Sequence, residues 1–164
     1  SKYEVAVIVV DKNEDVGGDA SKSNSAIIHT GYDASPGTLE SQLVVAEIPV
    51  GMKTGAFTYV AHPDVLHFVG DKKAYAAAAR RIALTSIATG IPLEVNFLGI
   101  RDGRYYPNAD FWKICGMLGA PVTFGFDAHS VDSAYDSASL EIAKSFVKEF
   151  GLNYIGKPNL RKLY

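Results

Sequence analysis

The chain has 164 residues, 16 basic and 18 acidic side chains, a formal charge of −2, and 48% apolar residues on the wide count. That balance excludes a disordered tail and lacks the excess of Lys and Arg that marks electrostatic binding to nucleic acid. The longest charge-free stretches, Ile82 to Leu93 and Ile114 to Phe126, are shorter than the roughly 18 apolar residues that cross a bilayer, so no membrane helix is expected.

The length suits one domain. The opening residues lack the basic segment and apolar run of a secretory leader, and the lone Cys115 has no internal partner for a disulfide. A reducing, cytoplasmic location is therefore the expectation. Cys115 itself reads as a small buried side chain of a helix.

In chain order, YEVAVIVV at Tyr3 to Val10 reads as a strand buried on both faces. Glu14 to Gly37 is rich in Gly and Ser without periodicity and reads as a long loop, a length that in compact domains usually serves function. A short helix is predicted over Thr38 to Ala46, with Pro49 and Gly51 breaking the chain after it. FTYVA at Phe57 to Ala61 is a strand, and Lys72 to Ala88 a helix stopped by Gly90 and Pro92. PLEVNF is the next strand, Asn108 to Leu118 a helix with Asn108 as its cap, and PVTFGF the strand after it. Ser137 to Phe150 closes at Gly151 as an amphipathic helix, followed by a short strand at Asn153 to Ile155. Strand and helix alternate, so the fold class is α/β with a mainly parallel sheet, forming a partial or distorted (β/α) barrel.

In such sheets ligands bind beyond the carboxyl ends of the strands. His62 and Asp64 follow FTYVA, Glu94 and Asn96 end PLEVN, and Asp127 and His129 follow VTFGF, which places all six on one predicted rim. Imidazole and carboxylate donors there suit Zn, Mn or Fe, and a bound metal would polarise a phosphoryl oxygen. Arg101, just past the same strand end as Glu94 and Asn96, carries a planar fork suited to phosphate. The plainer alternatives stand beside these readings: His62 caps a strand, Asp127 and His129 solvate a loop, and Arg101 occupies a surface turn. Glu94, inside an apolar strand, needs a hydrogen-bonded partner.

AHPDVL at Ala61 to Leu66, PLEVNFLGIRDGRYYPN at Pro92 to Asn108 and GFDAHS at Gly125 to Ser130 together resemble the C-terminal half of histidinol-phosphate phosphatase, of the polymerase and histidinol phosphatase superfamily, from about Gly51 to Leu163. The resemblance implies a distorted barrel that hydrolyses a small phosphomonoester in histidine biosynthesis with a cluster of divalent metals. It makes His62, Asp127 and His129 metal ligands, with Asp127, His129 and Arg101 as catalytic residues. Arg101 would hold the substrate phosphate, and Glu94 and Asn96 would support the ligands from behind. The chain departs from that family in having no H-x-H, the motif that supplies the first ligands there.

Val9 to Ala46 resembles instead a segment of FAD-dependent oxidoreductases related to glycerol-3-phosphate and 2-hydroxyglutarate dehydrogenases. The resemblance implies that Asp11, where that family more often has Glu, would hold the adenosine ribose, and that Ser23, Ser25 and His29 would pass beside the flavin. The G-x-G-x-x-G turn that seats the pyrophosphate is missing, so tight FAD binding is not expected.

The organisation expected is a flavoprotein-like segment over 1–46, a seam at 47–50 and a phosphatase-like half-barrel over 51–164, in one compact domain. Such a chain reads as a recombined chimera or an assembly of fragments. Three functions follow: a phosphomonoesterase with an incomplete, weak or inactive site, a fragment of a flavin oxidoreductase, or an engineered chimera without catalysis. Too few strands to close a barrel leave edges that a second copy would cover, so a homodimer is an expectation; nucleic acid and membrane partners are not.

Overall fold

The computed structural model describes residues 27–28, 39–65 and 67–159, with side chains from residue 46 onward. Five strands form one parallel sheet in chain order: β1 (Ile27–Ile28), β2 (Tyr59–Val60), β3 (Leu93–Asn96), β4 (Pro121–Gly125) and β5 (Asn153–Tyr154). Parallel strands in sequential order need a crossover at every step, and the right-handed rule for such crossovers lays the helices on one face, as in a segment of a (β/α) barrel. The helices are α1 (Leu39–Lys53), α2 (Lys72–Thr89), α3 (Phe97–Arg101), α4 (Ala109–Leu118) and α5 (Ser137–Phe150). Helices α1, α2, α4 and α5 pack side by side in that order.

The two sheet faces differ because side chains alternate along a strand. Leu93 pairs with Val122 and Val95 with Phe124, and Leu93, Val95 and Val122 are fully buried in a core with Ile82, Phe111, Trp112 and Cys115. Glu94 pairs with Thr123 and Asn96 with Gly125, so the opposite face is polar, and Glu94, Asn96 and Thr123 are buried there. This inner polar face leads to the carboxyl ends of the strands.

The signals at the helix ends act as expected. Asn108 caps α4 by accepting from the N–H groups of Asp110 and Phe111, and Gly90, Gly119 and Gly151 close α2, α4 and α5 in the left-handed conformation that glycine adopts without steric cost. Cys115 is buried in α4, as its residue type suggested.

Several expectations are corrected. The long loop predicted over Glu14 to Gly37 contains β1, whose two residues pair with β2 and extend the sheet; a strand this short has no periodicity to betray it. Helix α1 does not stop at Ala46 but runs to Lys53 with Pro49 inside it. Pro49 lacks an N–H and costs helix stability, yet it is buried between Ile48 and Met52, both core residues, and packing outweighs propensity. Phe97 ends no strand; it starts α3, because the Asn96 side chain accepts from the Gly99 N–H and caps a turn. The strand read over Tyr3 to Val10 lies outside the described residues.

Among the described residues no helix is long and apolar enough to cross a membrane.

Candidate functional site

At the ends of β2 and β4 the backbone takes an unusual form. His62 has φ 58° and Asp127 has φ 45°, and among the described residues these are the non-glycine positions with positive φ. A side chain in the left-handed region costs energy, and such residues gather where function fixes geometry. Both are residues that the sequence pattern singled out as ligands, and both stand where parallel strands present their ligand sites.

Bonds at Asp127 hold that conformation. Asn96 Nδ2 donates to Asp127 Oδ2 at 3.0 Å and to Glu94 Oε2 at 3.0 Å, while Asn96 Oδ1 accepts from the Gly99 N–H. The Asp127 carbonyl accepts from Arg101 Nη2 at 3.3 Å and lies 3.0 Å from His129 Nδ1. His129 Nδ1 is also 3.5 Å from Asp127 Oδ1, with the imidazole 73% exposed.

Glu94 has the partner its burial demands. Desolvation pushes its carboxyl up to about 7; the hydrogen bond from Asn96 opposes this, and the charges of Asp127 and Asp64 add to it. Gly125, opposite Asn96, leaves room for this carboxylate, because a Cβ there would overlap Glu94 Oε1. Tyr59 belongs to the same interior: burial, then the charges of Glu94 and Asp127, push its hydroxyl up to about 12.

Arg101 ends α3 and is bound on two sides. Nη1 donates to Asp136 Oδ2 at 3.0 Å, and Nη2 reaches the Asp127 carbonyl. Asp136 caps α5, accepting from the Ser139 N–H at 2.9 Å and from Ser139 Oγ at 2.7 Å. The Ser139 backbone and hydroxyl donors, followed by Arg101, hold its carboxyl below the usual carboxylate range. Beside this pair opens a hollow of about 460 Å³, bordered by Arg101, His129, Ser130, Ser133, Tyr135 and Asp136. Asp136 escaped the sequence reading. Its one local signal is an acidic residue at a helix start, and the contact that matters joins it to Arg101 across 35 positions.

The six residues expected on the rim divide four ways. Asp127 and His129 are neighbours, with Arg101 on the Asp127 carbonyl. Glu94 and Asn96 lie beneath them, buried. His62 stands at the end of β2, two strands from β4, buried, its ring 6.2 Å from that of Tyr106. Asp64 is no rim ligand: it is buried, and its Oδ2 accepts from the Asn108 N–H at 2.6 Å and from Trp112 Nε1 at 2.8 Å, which ties the loop after β2 to the start of α4. Burial pushes its carboxyl up to about 7 against those hydrogen bonds.

Among the described residues no three His, Cys, Asp or Glu side chains come together closely enough to hold a metal ion. The donors of His62, Asp127 and His129 therefore do not make a ready metal cluster. Arg101 supplies the cation of this arrangement, paired with Asp136, and Asp132 also borders the hollow. Asp11, Ser23, Ser25 and His29, the residues of the flavin reading, lie outside the described residues.

No family model matches the chain. A segment of 43 residues, 26% of the chain, is 56% identical to a glycerol 3-phosphate dehydrogenase of Caloramator mitchellensis. The match spans 9% of that protein's length and agrees with the dehydrogenase-like segment read from the sequence.

Proposed function

We propose that residues from about 51 onward are of the metal-dependent phosphomonoesterase lineage, similar to histidinol-phosphate phosphatase, and that in this chain the catalytic site is incomplete and weak or inactive. The observation that carries the reading is the left-handed backbone at His62 and Asp127, on the ends of β2 and β4. Positive φ at the two positions singled out by their motifs suits residues whose direction is fixed for a ligand. Arg101 would hold a phosphoryl group by charge-assisted bonds, with His129 and the hollow beside it admitting the rest of a small phosphomonoester. The weakness follows from the donors: the chain has no H-x-H, and the described His, Asp and Glu side chains do not converge in threes.

The test is binding of inorganic phosphate followed by calorimetry, together with hydrolysis of a generic aryl phosphate with Mn or Zn supplied. Phosphate binding lost in Arg101→Ala, with slow or absent hydrolysis, is the expected result. Failure of the unaltered chain to bind phosphate, or binding indifferent to Arg101→Ala, overturns the reading.

The segment shared with glycerol 3-phosphate dehydrogenase favours a second reading, in which the chain carries a piece of a flavin oxidoreductase. A purified protein with flavin absorption bands supports it, and colourless protein that takes up no added FAD rejects it. If phosphate, metal and flavin all fail to bind, a chimera without catalysis remains.

A further inference from the structure

Arg101 sits at the end of α3 and Asp136 at the start of α5, and each is held by more than the other. Asp136 is fixed by the N–H and the hydroxyl of Ser139, so its carboxylate is anchored before it meets Arg101. Its side chain is 11% exposed and that of Arg101 26%, and the pair borders the hollow. A guanidinium has five N–H donors; one on Nη1 goes to Asp136 and one on Nη2 to the Asp127 carbonyl, leaving the other three for a ligand. A free arginine loses much rotamer freedom when it clamps an anion, and one already ordered loses little.

Resting on the phosphate role proposed for Arg101, we infer that Asp136 is a positioning residue, which sets the Arg101 guanidinium toward the hollow and so strengthens its hold on a phosphoryl group. Asp136 touches no substrate in this account. It acts through Arg101, and it ties the phosphate site to the cap of α5.

The experiment compares inorganic phosphate binding by the whole chain, unaltered and as Arg101→Ala, Asp136→Asn and Ser139→Ala. In Asp136→Asn the amide oxygen still caps α5 but the negative charge that faces Arg101 is gone, and binding is expected to weaken about tenfold. Ser139→Ala removes the hydroxyl from Asp136 Oδ2 but leaves the backbone N–H on Oδ1 and the Arg101 contact, so binding is expected to weaken less than in Asp136→Asn. The guanidinium ¹⁵N signals of Arg101 supply a second readout: resolved by restricted rotation in the unaltered chain and in Ser139→Ala, merged in Asp136→Asn. Binding that depends on Arg101 but is unchanged or tighter in Asp136→Asn overturns the inference alone, as does equal weakening in Ser139→Ala. Absence of phosphate binding, or binding indifferent to Arg101→Ala, overturns the phosphate reading and this inference with it.

Discussion

The Asn96 amide nitrogen stands 3.0 Å from Asp127 Oδ2, and the same nitrogen is 3.0 Å from Glu94 Oε2. One NH₂ group carries two hydrogens, so it serves both carboxylates at once and fixes their separation. Asn96→Asp would replace the donor by a third carboxylate. The expected loss is about 3 kcal/mol or more of unfolding free energy at neutral pH, with Asn96→Ala less severe; urea unfolding at pH 7 reads it. Equal stability of Asn96→Asp and the unaltered chain would mean that the amide does not bridge the two acids.

Burial raises the Glu94 carboxyl from 4.5 to about 7, so the folded state keeps a proton that the unfolded state releases. Glu94 therefore contributes most below about 4.5, and its contribution falls as pH rises through about 7, by about 1.4 kcal/mol for each unit between the two values. Asp64, raised from 3.8 to about 7, slopes the same way. Glu94→Gln keeps an acceptor for Asn96 and should flatten the decline between pH 5 and pH 7, as followed by thermal unfolding across about that range. An unchanged slope in both Glu94→Gln and Asp64→Asn would remove these groups from the pH response.

Asp64 and Trp112 make a structural tie. Trp112→Phe leaves the buried Asp64 with one fewer donor and is expected to cost about 1 to 3 kcal/mol while phosphate binding stays the same. A large loss of binding with little loss of stability would place Asp64 at the ligand site instead.

Gly125 is where the Glu94 carboxylate passes. Gly125→Ala forces that side chain or the strand aside and should lower stability by about 1 to 3 kcal/mol, with a matching shift in the midpoint of denaturation. A neutral effect would show that Glu94 is free to move.

Metal uptake should be weak. Protein prepared without chelator and analysed for Zn and Mn is expected to hold less than one equivalent, and less still in His62→Ala, because the described donors do not converge in threes. Stoichiometric, tightly held metal would show a donor set beyond the one described.

Much of this fold is legible in the sequence where a local signal decides. Asn108, Gly90 and Gly151 mark helix ends because capping is chemistry within a few residues. Asp127 and His129 fall just past β4, where polar residues follow an apolar run, whereas Glu94, Asn96 and Asp64 are buried. What the sequence hides is non-local. Pro49 stays helical because Ile48 and Met52 are buried around it, Ile27–Ile28 becomes a strand only by pairing with β2, and Asp64 turns inward to meet Trp112. Asp136 looks like a helix cap until Arg101, far away in the chain, is placed against it.

Titrating inorganic phosphate into ¹⁵N-labelled protein and following the backbone amides tests the anion site proposed around Arg101 at the β3 and β4 ends. Shifts concentrated at Gly99 to Asp102, Asp127 to Ser130 and Asp136 to Ser139 are the expected result. Shifts confined to the separate hollow of about 390 Å³ lined by Phe68, Tyr75, Lys113 and Met117, or no shifts at all, would contradict it.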